Sequence, residues 1–260
     1  MKESLLKTKE KQKISKKHWS TWQVDQLDNK VYYESMIGDL AHICNRGVEK
    51  RKIFINEADY FRFTMNLLLL NNEDGKIRIR KKDPLQDIQK ILSERKKLVE
   101  ILKWSLLPNH YHLLLYEVSE GGILEFTKRL GNAYTKYFNT KNKGRSGYLF
   151  QNSAKIIPIS KNSQFLYIPI YIDLNCSDLI CPNWKNLINN NTRKIFNFLK
   201  SYRWSSFRDY FGKGEFRSVV NIELFYKLFD TNEKEYQKDL EVFIKNPING
   251  RPGRLTNWAF

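Results

Sequence analysis

Apolar and polar positions change period several times along this chain, and each change marks an element. Met36 to Asn45 reads as a first strand, followed by a turn at Arg46-Gly47. Asn56 stands where it can cap a helix through Ala58, Tyr60, Phe61, Phe63 and Leu67, whose apolar residues recur at helical spacing. Lys76 to Lys82 sets Ile77 and Ile79 against Arg78 and Arg80 and fits a loop or a short strand. Leu98 to Leu107 and Tyr111 to Val118 are apolar runs either side of Pro108-Asn109, read as one central strand or two separated by a bulge. After a turn at Glu120-Gly121-Gly122, Ile123 to Phe138 is helical by spacing, with Leu124, Phe126, Leu130 and Tyr134 toward the core. A polar, basic loop, Asn139 to Gly147, leads to short strands at Tyr148–Gln151 and Lys155–Ile159, and a helix follows from about Ser163 to Asp178. Short helical patterns at Phe196 to Leu199 and Leu224 to Phe229 complete the chain, with no internal repeat. Mixed short strands and helices of this kind predict an α+β fold with helices on one face of an antiparallel sheet.

Charge and cysteine usage narrow the class. Lys and Arg number 45 against 28 Asp and Glu, a net charge of +17 in 260 residues. A surplus that large favours a polyanionic partner, most often nucleic acid, because each neutralised phosphate releases a counterion. Met1 to Ser20 holds seven lysines and two glutamates without an apolar stretch, so it reads as a basic arm rather than a signal peptide. The longest apolar runs are too short to span a membrane. Cys44, Cys176 and Cys181 are too few for a disulfide framework and contain no Cys-x-x-Cys pair. Together these predict a cytoplasmic protein.

The candidate chemistry centres on Pro108-Asn109-His110-Tyr111-His112. Side chains alternate along a strand, so His110 and His112 share a face, where two imidazoles can grip one divalent metal; His18 and His42 show no such pairing. Downstream, Tyr171 and Asn175 are i and i+4 on a helix and project together. If that face meets the His-x-His strand, the Asn175 amide oxygen becomes a third ligand and the Tyr171 phenol lies beside the metal. A phenol is a poor nucleophile at neutral pH, and a divalent cation that polarises a phosphate offsets this. Two nitrogens and one oxygen leave positions open for phosphate oxygens, which suits Mg²⁺ or Mn²⁺. Pro169 lies two residues before Tyr171; a helix starting near Ile168 would hold it in the first turn and put Tyr171 near the N-terminal dipole. Glu117 and Asp173 either assist the metal or sit at the rim.

Five ordered motifs give the chain a family likeness. They are Arg46-Gly47 through Ile53-Phe54, Pro108-Asn109-His110-Tyr111-His112, Gly144 through Gln151, Tyr171-Ile172-Asp173-Leu174-Asn175, and Tyr202-Arg203-Trp204-Ser205-Ser206. In this order, over roughly Met36 to Tyr210, the chain resembles the single-tyrosine HUH transposases, most closely their REP-associated tyrosine transposase branch. The resemblance implies a ferredoxin-like antiparallel sheet with a helical C-terminal extension. It implies His110, His112 and Asn175 as metal ligands and Tyr171 as the nucleophile of a single-strand endonuclease and strand transferase. The partner would be single-stranded or hairpin DNA from palindromic repeats, held by a monomer or homodimer. Candidate DNA contacts are Arg46, Lys141, Lys143, Arg145 and Trp204. The expected organisation is a basic arm over 1–30, a catalytic domain over 31–182 and a mostly helical DNA-binding extension over 183–260. Two other readings keep the charge and aromatics without the cut: a non-catalytic nucleic-acid-binding module, or a domesticated regulator that binds a palindrome.

Overall fold

A computed structural model of the chain describes residues 36–75, 90, 92–159, 162–182 and 192–245. The basic arm, Lys76 to Lys82, and residues 183–191 and 246–260 of the expected extension lie outside these residues. The elements run β1 (Leu40–Arg46), α1 (Glu57–Leu69), β2 (Val99–Leu107), β3 (His110–Glu117), α2 (Gly122–Lys141), β4 (Lys155–Pro158), α3 (Asn162–Asn175), α4 (Thr192–Ser201), a single turn α5 (Phe207–Tyr210), α6 (Ile222–Phe229) and α7 (Glu233–Lys245). The fold is α+β. Its four strands form one antiparallel sheet in the order β2-β3-β1-β4, so β1-α1-β2 and β3-α2-β4 interlock in the ferredoxin-like arrangement.

The two halves of that arrangement place α1 and α2 on the same face. Asn56 caps α1 with a full capping box: its side chain accepts from Asp59 N–H, and Asp59 accepts from the backbone N–H of Asn56. Phe63 and Leu67 of α1 and Phe126, Leu130 and Tyr134 of α2 then pack on Ile43, Tyr111, Leu113 and Leu115 of the sheet. Leu124, expected in this core, is instead 53% exposed, because the inward stripe of α2 runs through Ile123 and Phe126.

The opposite face is covered as well. There α3 lies on Leu40, Leu102 and Leu114, and α4, α6 and α7 extend the same apolar cluster through Leu199, Phe225 and Leu240. Burial on both faces explains why the strands read as near-continuous apolar runs rather than alternating ones. Leu98 to Val118 is accordingly not one strand but a hairpin, turned at Pro108-Asn109, with an irregularity between Ile101 and Lys103. The Tyr202 to Ser206 motif closes the free edge of β2: Leu106 N–H donates to Trp204 O at 2.9 Å, Ser206 N–H to Trp104 O at 2.9 Å, and the Tyr202 hydroxyl to Leu106 O at 2.6 Å.

Gly47 fits its place through close approach rather than unusual torsions. A Cβ there would stand 2.4 Å from the Arg51 carbonyl oxygen and 2.8 Å from Ile53 Cγ2. Its N–H donates to Asn109 O at 2.9 Å, which ties the end of β1 to the turn that leads into His110.

Candidate active site and metal-ligating group

Strand alternation sends Leu40, His42 and Cys44 of β1 and His110, His112 and Leu114 of β3 toward α3. Cys44 and His112 are direct cross-strand partners, so His42 lies diagonally beside His112. The rings of His42 and His112 stack with centroids 5.1 Å apart, and His42 Nε2 meets His112 Nδ1 at 2.9 Å in a hydrogen bond. Burial holds the pKa of His42 down to about 3, so it stays neutral. The ligand atoms of His42, Cys44 and His112 lie within 4.8 Å of one another, a buried group that could bind a metal ion.

The expected pair is present too. The rings of His110 and His112 are 5.1 Å apart and nearly perpendicular. His110 Nδ1 lies 2.6 Å from the Asn109 amide oxygen; an oxygen only accepts, so Nδ1 carries the proton and Nε2 keeps its lone pair. Each histidine of the pair thus has Nδ1 held by a neighbour, Asn109 for His110 and His42 for His112. That is how ligating imidazoles are oriented by a second group.

Helix α3 brings Tyr171 over this group. Its ring meets that of His112 edge-on at 5.5 Å and that of His42 at 5.9 Å. Burial pushes the phenol up; Tyr167, Cys44 and Asp178 act the same way, and the Arg46 guanidinium opposes them. One turn further on, Asn175 is 3% exposed, and its Nδ2 has no hydrogen-bond partner among the described residues. A half-turn of that amide would exchange its nitrogen for its oxygen, an acceptor suited to a hard cation. The His42–Cys44–His112 set is softer, with one sulfur and two nitrogen donors. The Cys44 thiol is pushed up to about 12 by burial, so it stays protonated near neutrality and is a poor ligand for Mg²⁺ or Mn²⁺.

Pro169 sits inside α3 rather than in its first turn, because the helix begins at Asn162. Tyr171 is therefore too far along for the N-terminal dipole to act on it. The next residue but one, Asp173, is neither a metal helper nor a rim carboxylate. It is fully buried and paired with Lys103 Nζ at 2.8 Å, and the Tyr236 hydroxyl donates to the same oxygen at 2.7 Å. Lys103 Nζ also stands over the rings of Tyr210, Tyr236 and Phe225 at 3.4, 4.2 and 4.8 Å. Glu117, likewise buried, accepts from Ile123 N–H at the start of α2.

The candidate DNA contacts separate into two groups. Arg46, half-buried at the end of β1, acts on Tyr171, and Lys143 is exposed. Three others are occupied by the fold. Trp204 is 7% exposed, stacked on Tyr60 and Phe216, so its ring is not open to a base. Lys141 pairs with Asp59 and Asn56 at the α1 cap. Arg145 donates to Asn139 Oδ1 at 3.0 Å and Tyr148 O at 2.9 Å, fastening its own loop.

Sequence reading misses His42 and Cys44. The available signal is a second same-face pair, His-x-Cys in the first strand, one residue type away from the His-x-His it faces.

No family model and no curated protein sequence matches this chain. Among solved structures, it is similar to one described as the REP associates tyrosine transposase bound to a REP hairpin. That likeness has 13% identity and a TM-score of 0.40, covering 75% of this chain and 90% of the other. So distant a likeness assigns no role to any residue here. Among the described residues, no helix is long and apolar enough to cross a membrane.

Proposed function

We propose that this chain is a metal-dependent single-strand DNA endonuclease and strand transferase that cuts hairpin-forming DNA through Tyr171. The observation that carries the reading is the Tyr171 ring edge-on to His112 at 5.5 Å, on the face that also holds His110. The motif order in the sequence and the charge of +17 support it. His110, His112 and Asn175 would hold Mg²⁺ or Mn²⁺, which would supply Lewis-acid polarisation of the scissile phosphate and offset the charge of the transition state. Asn109 keeps His110 in the tautomer that ligation needs, and His42 orients the His112 ring and would do the same where it accepts from His112 Nδ1. The Tyr171 oxygen forms a bond to phosphorus as the bond from phosphorus to the 3′ oxygen breaks. The 5′-phosphate end stays on the protein, and the 3′ end leaves as a hydroxyl after taking a proton. The phosphotyrosine keeps the energy of the broken phosphodiester, so a second DNA hydroxyl can reverse the step without ATP. The Arg46 guanidinium favours the phenolate against the burial that opposes it.

Burial of the phenol is also the observation that favours a second reading, a module that binds palindromic DNA without cutting it. One experiment separates them. Incubated with labelled single-stranded hairpin DNA and Mn²⁺, the chain should give a protein–DNA adduct that resists SDS, and Tyr171→Phe should give none. An adduct that persists in Tyr171→Phe refutes the nucleophile, and no adduct with any hairpin selects binding alone.

A further inference from the structure

A groove of about 820 Å³ lies away from Tyr171, between α2 and the segment from Tyr148 to Ala154. One wall is a stripe of α2 at four-residue spacing, Lys128, Asn132 and Lys136, with Gly131 beside it. The other wall presents Gln151, Asn152 and Ser153, all exposed, and Tyr148, 88% exposed. No carboxylate lines it among the described residues. Lys128 and Lys136 have neither an ion-pair nor a hydrogen-bond partner among the described residues. Most other cations near this face, such as Arg129, Lys141 and Arg145, are tied into the fold.

We propose that this groove binds an unpaired stretch of the DNA substrate. The choice of DNA as its ligand rests on the proposed cutting by Tyr171. Lys128 and Lys136 are eight residues apart on one helix face, about 12 Å along the axis, so each can meet a different phosphate of one strand. The amides and hydroxyl between them offer hydrogen bonds to sugar and base edges. Tyr148 offers a flat ring on which a base can stack, and Arg145 holds its backbone from behind. A groove with unpaired cations, no acid and an open aromatic ring suits a polyanion with π faces better than an acidic peptide, which has none. The groove adjoins the end of β1: Asn45 lines it, and Gln151 N–H donates to Arg46 O at 2.9 Å.

The test is fluorescence anisotropy of a labelled twelve-nucleotide oligo-dT with the full chain. Gly131→Trp fills the groove from a position where an added Cβ meets nothing within 4 Å, and it should weaken binding at least tenfold. Lys128→Ala/Lys136→Ala should lower the slope of log affinity against log salt by about 1.4, two phosphates at about 0.7 each. Tyr148→Ala should weaken binding by about tenfold. Both of these alter exposed side chains, so they remain informative if Gly131→Trp does not fold. The proposal is overturned if the wild type does not bind oligo-dT, if the variants bind like the wild type, or if poly-glutamate displaces the strand as readily as unlabelled oligo-dT. Adduct yield with hairpin DNA is read separately. Oligo-dT binding through the groove without any adduct sinks the cutting reading and keeps the groove; an adduct with groove-independent binding does the reverse.

Discussion

Replacing Lys103 with methionine should destabilise the fold by about 3–5 kcal/mol, the usual cost of leaving one member of a buried ion pair alone. The structure sets this magnitude. The side chains of Lys103 and Asp173 are both 0% exposed, so the stranded Asp173 carboxylate would keep only the Tyr236 hydroxyl as a donor. Asp173→Leu should cost a similar amount, because the lysine would face Tyr210, Phe225 and Tyr236 with no counter-charge. The double variant should recover most of the loss and fall within about 2 kcal/mol of the wild type, since apolar side chains replace a buried pair at little net cost and only the Tyr236 hydroxyl is left short of an acceptor. Urea unfolding of the four proteins closes the cycle. For a chain of this size each kcal/mol moves Tm by about 2–4 °C, so each single variant should melt roughly 6–20 °C lower. If the double variant is as unstable as the two singles added together, the pair is not coupled, and Lys103 and Asp173 do not tie α3 to the sheet.

Gly47→Ala should destabilise by about 1–3 kcal/mol and loosen the turn before His110, because the new methyl would stand 2.4 Å from a backbone oxygen; an unchanged urea midpoint would show that the loop simply moves. Asn109→Ala and His42→Ala should each weaken Mn²⁺ binding by about 10–100-fold in calorimetric titration, whereas Cys44→Ala should leave it unchanged. Loss on Cys44→Ala would transfer the ion to the His42–Cys44–His112 set. Burial raises Asp209 from 3.8 to about 6, so the folded state holds a proton that the unfolded chain has released. Its contribution is therefore present below about pH 4 and lost as pH rises through 6, by about 2–3 kcal/mol. Asp209→Asn should flatten that part of the stability–pH curve, and an unaltered curve would show that the carboxyl is ionised throughout.

The parts of this molecule legible in the sequence are those set by neighbours along the chain. Asn56 three residues before Asp59, the inward stripe of Phe126, Leu130 and Tyr134, and the same-face pair His110 and His112 all follow from spacing alone. What spacing does not contain is which strand lies beside which. His42 looks solitary in the sequence because its partner is 70 residues away and reached only through the β1–β3 register. Lys103 gives no sign that an apolar strand will bury its charge, since Asp173 and the aromatic rings around it come from α3 and the C-terminal helices. Residue type alone points Trp204 toward DNA, and packing stacks its ring against Tyr60 and Phe216 at a sheet edge instead.

Whether Tyr171 attacks DNA is decided by mass spectrometry of the protein after reaction with hairpin DNA and Mn²⁺. After nuclease and protease digestion, the proposed mechanism requires a nucleotide phosphate on the peptide that contains Tyr171, attached at its phenolic oxygen. The same mass on a peptide carrying Tyr134, Tyr137 or Tyr148, with Tyr171 unmodified, would contradict it.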